Sequence, residues 1–491
     1  MPAPGGYCTS FCGVAGDPCT DGVCAATVRG GELCLARCTR DAECRQPYRC
    51  DGQLHACALP GMVAMPTRSC PAAAERDPAW SASERLTSAK SPGIYQFEPA
   101  TALASDGSVV ALYIGRGKMR DDNTLGIVRT TGKAVSDLPF GSDRHSHFDP
   151  WLVADRRGDL HAVWLGFDGR SKHQQIAYAS SHDRGATWST AISVNADGDC
   201  KKEPSEGHEA EADDDNECLD KPMIAVGPDP KKRTNDILYA MYSADGLRVR
   251  ASRDRGKTWS PAVTALDGIY GTAAVARDGR LHIATLDGGP NEGGDFGSAK
   301  HRVEYTTSSD GAATFSKPSV VSAPGESLPF FFANPAIAVD DKRGWIYVAY
   351  TRGGHDGVWD VVVAASRDGS TWTHTRIGDD PACATHMVPN VAVDPTTGTL
   401  HVAWYDSRGE HGRFAHATCP AGAATCRQTG AINDEPFAAL TTARHASTWI
   451  GEYEGLLVDD TRRLLHAVWT EPVSEGGVVV SRLFHATTRL K

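Results

Sequence analysis

Nothing in the 491 residues approaches the roughly 20 consecutive apolar side chains of a membrane-spanning helix. A transmembrane helix is therefore excluded. The first thirty residues also lack a basic start and an apolar run, so no signal peptide is visible, and the sequence is expected to be a mature or trimmed form with room for a lipid anchor upstream. No extended basic run is present either. With a formal net charge of -11 and a pI near 5.9, the chain is not a binder of phosphate backbones. The cysteine spacings between Cys8 and Cys70 contain no CxxC pair, which argues for disulfides over zinc modules. What is present is an uneven distribution: of fifteen cysteines, ten fall between Cys8 and Cys70. That pattern belongs to an oxidising compartment, so an extracellular, periplasmic or cell-surface location is expected.

Residues 1–72 are rich in Gly, Asp and Cys and poor in large apolar side chains, and such a segment must rely on cross-links. Five bridges would use all ten cysteines. Segments such as Cys34-Leu-Ala-Arg-Cys38-Thr-Arg-Asp-Ala-Glu-Cys44 resemble the small cysteine-rich modules of bacterial surface lipoproteins. The segment is expected to be a spacer or docking module with no chemistry of its own.

Residues 73–491 contain a repeat. Pro335-Ala-Ile-Ala-Val-Asp340 leads to Tyr347-Val-Ala-Tyr350, and Pro389-Asn-Val-Ala-Val-Asp394 leads to His401-Val-Ala-Trp404. Aligned on the proline, copies start at Pro99, Pro150, Pro222, Thr272, Pro335, Pro389 and Glu454. Their second strands end at Tyr113, Trp164, Tyr242, Thr285, Tyr350, Trp404 and Trp469. Short apolar runs separated by Gly and Asp turns predict an all-β, seven-bladed β-propeller, with six blades as the alternative.

Most copies continue into Ser-x-Asp-x-Gly-x-Thr-Trp, complete at Ser181–Trp188 and Ser252–Trp259, worn at Ser308–Phe315 and one residue short at Ser366–Trp372. This resembles the Asp box (BNR repeat) of sialidase-like propellers. In such a hairpin turn Asp and Ser satisfy turn amides, a structural role. Cys419 and Cys426 stand where the sixth copy should have its box and are expected to staple that hairpin. Trp80-Ser-Ala-Ser-Glu-Arg-Leu-Thr resembles the strands that follow Asp boxes, so residues near 80–90 are expected to close the ring.

Repeat register assigns His161, His282, His401 and His466 to packing. The loops entering the inner strands and leaving the second strands should share one face. Three residues before the repeat proline stand His147 and His386; one residue before it stand Glu98, Asp149, Lys221, Asn334 and Tyr453. Strand alternation would point His147 and Asp149 the same way. No cofactor is required, but His147, His386 and His445 could hold a transition metal across an axial channel. The acidic insertion between Cys200 and Cys218 could hold Ca²⁺ through Asp213 and Asp215, leaving Cys383 unpaired. The second-strand loops add Arg116, Asp121, Asp122, Arg352, Asp406 and Arg408. Acids and arginines on one face suit a carboxylated or polyhydroxylated sugar, and the protein is expected to be a monomer directed at a glycan.

The sialidase-like resemblance implies an arginine cluster on a substrate carboxylate, a Tyr nucleophile paired with Glu, and an Asp acid/base. Arg116, Arg352, Arg408 and Arg444 could supply the cations, Asp121 or Asp122 the acid, and Glu452 with Tyr453 the pair, although neighbouring strand residues should point apart. Asn334 and His386 would add substrate contacts. Gly93-Ile-Tyr-Gln-Phe-Glu-Pro99 lacks the arginine of the sialidase Phe-Arg-Ile-Pro motif. Seven blades also depart from catalytic sialidases and match polysaccharide lyases of Asp-box type, in which His147, Tyr453 and Arg408 could play base and neutraliser. Three readings follow: a glycoside hydrolase, a uronate lyase, or a non-catalytic recognition propeller.

Overall fold

The computed structural model describes residues 2–3, 7–8, 22–26, 32–45, 48–51, 56–58, 73–117, 123–130, 146–168, 173–196, 219–244, 246–287, 301–329, 332, 334–353, 359–378, 384–408, 411–438, 440 and 449–491. Among these the chain is nearly all β, with one 3₁₀ turn at Asp41–Glu43 and no α-helix. In the N-terminal segment the short antiparallel strands Arg49–Asp51 and Ala56–Ala58 lie beside disulfides Cys38–Cys50 and Cys44–Cys57. These bridges and the buried ring of Tyr48 form the small core there.

From Tyr95 onward the strands form successive antiparallel meanders. Tyr95–Leu103, Val109–Arg116 and Asn123–Arg129 form the first sheet. Four-stranded sheets then begin at Ser146, Asp220, Gly268, Ala336 and Thr385. A single parallel pair, Trp359 with Thr385, joins the last two. In the final sheet Gly455–Asp459, Leu464–Glu475 and Val478–Arg489 are joined by Glu84–Arg85, paired through Phe484 with Arg85 and His485 with Glu84. Each innermost strand packs on that of the next sheet, and the strand at Gly455 returns to the one at Tyr95.

The second strands show why these residues build stacked sheets. Val109–Arg116 is buried along its whole length, because a sheet covered on both faces needs apolar side chains at every position. Ala111, Ala162, Ala240, Ala284, Ala349, Ala403 and Ala467 are all fully buried. One or two positions on, the large rings of Tyr113, Trp164, Tyr242, Tyr350, Trp404 and Trp469 are buried as well.

Four of the turns after a third strand are wired by their own side chains. Asp183 accepts from the Thr187 amide (2.8 Å) and hydroxyl (2.6 Å), while Ser181 Oγ accepts from the Gly185 amide (2.8 Å). Ser252, Asp254 and Thr258 repeat this pattern, as do Ser308, Asp310 and Thr314. The shortened copy keeps the Ser366 and Asp368 bonds. Cys419 and Cys426 are bridged at the equivalent hairpin. His161 and His282 meet Tyr178 and Tyr305 (2.7 and 2.6 Å), and His401 and His466 meet His416 and His485 (both 3.1 Å). All four second-strand histidines are packing residues.

The inner strands break the expected alternation. Glu98, Asp149, Lys221 and Val388 all have positive φ (56°, 48°, 45° and 54°) directly before a proline, and the strand register skips at each of these places. A left-handed residue is costly for a side chain with a Cβ, and proline disfavours helical backbone before it, so each site is a strained bulge held by its surroundings. The inference that His147 and Asp149 point together rested on unbroken alternation. The bulge between Phe148 and Trp151 removes that basis.

Candidate functional site

The bulges deliver charged side chains to one buried cluster. Lys221 Nζ lies 2.5 Å from Asp149 Oδ1 and 2.7 Å from Glu452 Oε2, and all three side chains are buried. Burial works against the ammonium, but Asp149, Glu452 and Glu98 outweigh it and hold the Lys221 pKa well above its ordinary value. The Lys221 ammonium also sits 5.8 Å from the Tyr270 ring centre.

Glu452 and Tyr453 precede the Gly455–Asp459 strand instead of lying within it, so the objection from strand alternation does not apply to them. Even so, they do not form a nucleophile pair. Glu452 binds Lys221, whereas the Tyr453 hydroxyl donates to the Pro150 carbonyl (2.8 Å) and its ring meets Trp151 edge-on at 5.1 Å. Burial, with the surrounding carboxylates, pushes the Tyr453 hydroxyl far above the usual phenol range, which keeps it neutral. Asp149, Glu452 and Tyr453, expected as catalytic groups, are thus held in a closed ionic and packing network.

A second cluster gathers three more expected residues. Asp406 takes a two-pronged bond from Arg408, Nε and Nη2 both at 2.7 Å, and faces His386 Nε2 at 3.4 Å. Pairing of His386 with Asp406 across the strands creates this contact. All three side chains are buried. Burial works to raise the Asp406 pKa, but His386 and Arg408 outweigh it and keep the carboxyl ionised. His386 Nδ1 has no hydrogen-bond partner among the described residues. Arg408 was expected to fork onto a substrate carboxylate, yet its fork is occupied by Asp406, because the two end the same strand two residues apart.

The other rim residues stand separately. Arg116 lies over the Tyr95 and Phe97 rings at 4.8 and 5.5 Å. Arg352 is half-buried between Glu326 and Asp360, each at 3.1 Å. Asn334 is buried with neither amide atom bonded among the described residues. His147 is buried on its strand. Among the described residues the three-ligand group with metal-like spacing is Cys38, Cys44 and Cys57, whose sulfurs already form disulfides. Asp121, Asp122, Arg444, His445, the Cys200–Cys218 insertion and Cys383 lie outside the described residues.

Lys221 is the residue that sequence reasoning passed over. Its signal was a lone cation at the position held by Glu98 and Asp149 in neighbouring copies, but nothing local showed that three inner strands would bring these groups within contact.

No family model and no curated protein match the sequence. Among solved structures, a protein of unknown function from Dyadobacter fermentans is 14% identical, with 84% of this chain and 100% of that chain covered and a TM-score of 0.46. A Hadza microbial sialidase is also 14% identical, with 64% of this chain and 63% of that chain covered and a TM-score of 0.42. The GH93 α-L-arabinofuranosidase of Fusarium graminearum is 16% identical, over 72% of this chain and 96% of that chain, with a TM-score of 0.43. These matches assign no role to any residue.

Proposed function

We propose that the chain is an exported seven-bladed propeller of the Asp-box kind, directed at a glycan, with glycoside hydrolysis as its reaction class. The glycan is taken where the inner strands begin and the second strands end. The observation that carries this reading is the placement of Arg116, Arg352 and the His386–Asp406–Arg408 unit at that same end of three sheets. Arg352, the most accessible of them, faces a sugar hydroxyl or carboxylate, and the buried His386–Asp406–Arg408 unit positions the strand ends beside it.

Recognition without turnover is the second reading. Capture of Asp149 and Glu452 by Lys221 favours it, because it withdraws those two carboxylates from acid/base work. A glycan array and a reducing-end assay on wild type, Arg352→Ala and Asp406→Asn separate the two. Hydrolysis predicts product from wild type and at least a tenfold loss in Asp406→Asn. Recognition predicts binding without product, weakened in Arg352→Ala. Neither binding nor product from wild type refutes the glycan assignment.

A further inference from the structure

At the opposite end of the ring, four turns of the second and third sheets interlock. They span residues 155–159, 181–188, 229–236 and 252–259, and together carry nine Arg or Lys and six Asp, a local charge of +3 in a chain of -11. Four of the arginines are spent internally. Arg156 pairs with Asp236 at 2.6 Å, Arg184 with Asp106 at 3.1 Å, Arg253 with Asp229 at 3.4 Å, and Arg255 with Asp159. The other five, Arg157, Lys231, Lys232, Arg233 and Lys257, are exposed and have no ion pair among the described residues.

Loop 229–236 is built to present its cations. Arg156 donates to the Arg233 and Asn235 carbonyls (3.0 Å each), the Asp229 carboxylate accepts from the Lys231 amide (2.8 Å), and backbone bonds link Asp229 with Asn235 and Lys232. The three consecutive cations therefore project from a backbone that is already ordered, so binding need not pay to fix it.

We propose that this strip is a docking surface for a polyanionic polysaccharide, separate from the rim site and independent of what the rim does. A flexible carboxylated chain can lie along five cations and avoid the rest of the molecule. A flat anionic membrane cannot, since everything outside the strip carries -14 and like charge within a Debye length of about 8 Å repels it. Disulfides are compatible with an oxidising extracellular setting, where polysaccharides are the polyanions at hand.

The test measures binding of the full chain to immobilised polygalacturonate at 50 and 300 mM NaCl, with phosphatidylglycerol vesicles and single-stranded DNA as comparison ligands. Wild type should bind the polymer at low salt and weaken at least tenfold at high salt. Lys231→Gln/Lys232→Gln/Arg233→Gln should bind at least tenfold more weakly, with a log–log salt slope about 2 smaller for three lost contacts. Lys90→Gln/Arg489→Gln, exposed cations elsewhere, should match wild type. The proposal is overturned by absence of wild-type binding, by a triple variant that binds normally, by equal loss in the control variant, or by tighter binding to vesicles or DNA.

Discussion

Replacing Lys221 with Met removes the cation that bridges Asp149 and Glu452 while preserving most of the side-chain volume. At 2.5 and 2.7 Å each pair has a gross attraction of about 6 kcal/mol at an effective dielectric of 20. Desolvation of the buried groups offsets most of this, and breaking a buried pair from one side costs about 3–5 kcal/mol in net stability. The sign of the pH dependence separates this cause from simple packing loss. Without the ammonium, the buried carboxylates of Asp149 and Glu452 take up protons in the folded state that the unfolded chain does not bind above about pH 4. A folded-state pKa above the unfolded one means stability present at low pH and lost as pH rises through that window. Urea denaturation of Lys221→Met should therefore show its full deficit at pH 8 and a smaller one at pH 5, and adding Glu452→Gln should recover part of it at pH 8. A deficit below about 1 kcal/mol, or one that does not change with pH, would refute the account of this cluster as an ionic keystone.

Burial holds His282, His401 and His485 down to about 4. Their lowered pKa means the unfolded chain protonates first, so stability is intact above about pH 6.5 and falls through pH 4, by roughly 3 kcal/mol per histidine. His485→Tyr, which copies the His–Tyr pairs of the second and fourth sheets, should flatten that fall in a thermal-denaturation series. Gly256→Ala should cost about 2–4 kcal/mol by urea denaturation, since φ is +83° and a Cβ would stand 2.1 Å from the Tyr178 ring. Cys419→Ala/Cys426→Ala should lose about 2 kcal/mol relative to the oxidised protein, and the difference should vanish under reductant.

The tests above draw on two kinds of information. The repeat proline, the Ala-aromatic second strands and the Ser-Asp-Gly-Thr turns are local patterns, each enforced by hydrogen bonds or packing within a few residues, and so the meander of strands, the turn wiring and the packing roles of His161, His282, His401 and His466 were legible in sequence. The Cys419–Cys426 bridge was legible for the same reason. The candidate site was only half legible: His386, Asp406 and Arg408 could be named from register, but their bonding to one another could not. Lys221 marks the limit most clearly. Its partners lie 72 residues before it and 231 after it, and they meet because bulged inner strands from different sheets converge. Residue identity determined which groups were available. Only the tertiary structure decided which charges would neutralise each other, since buried ions must find partners in space and register along one chain carries no record of that distance.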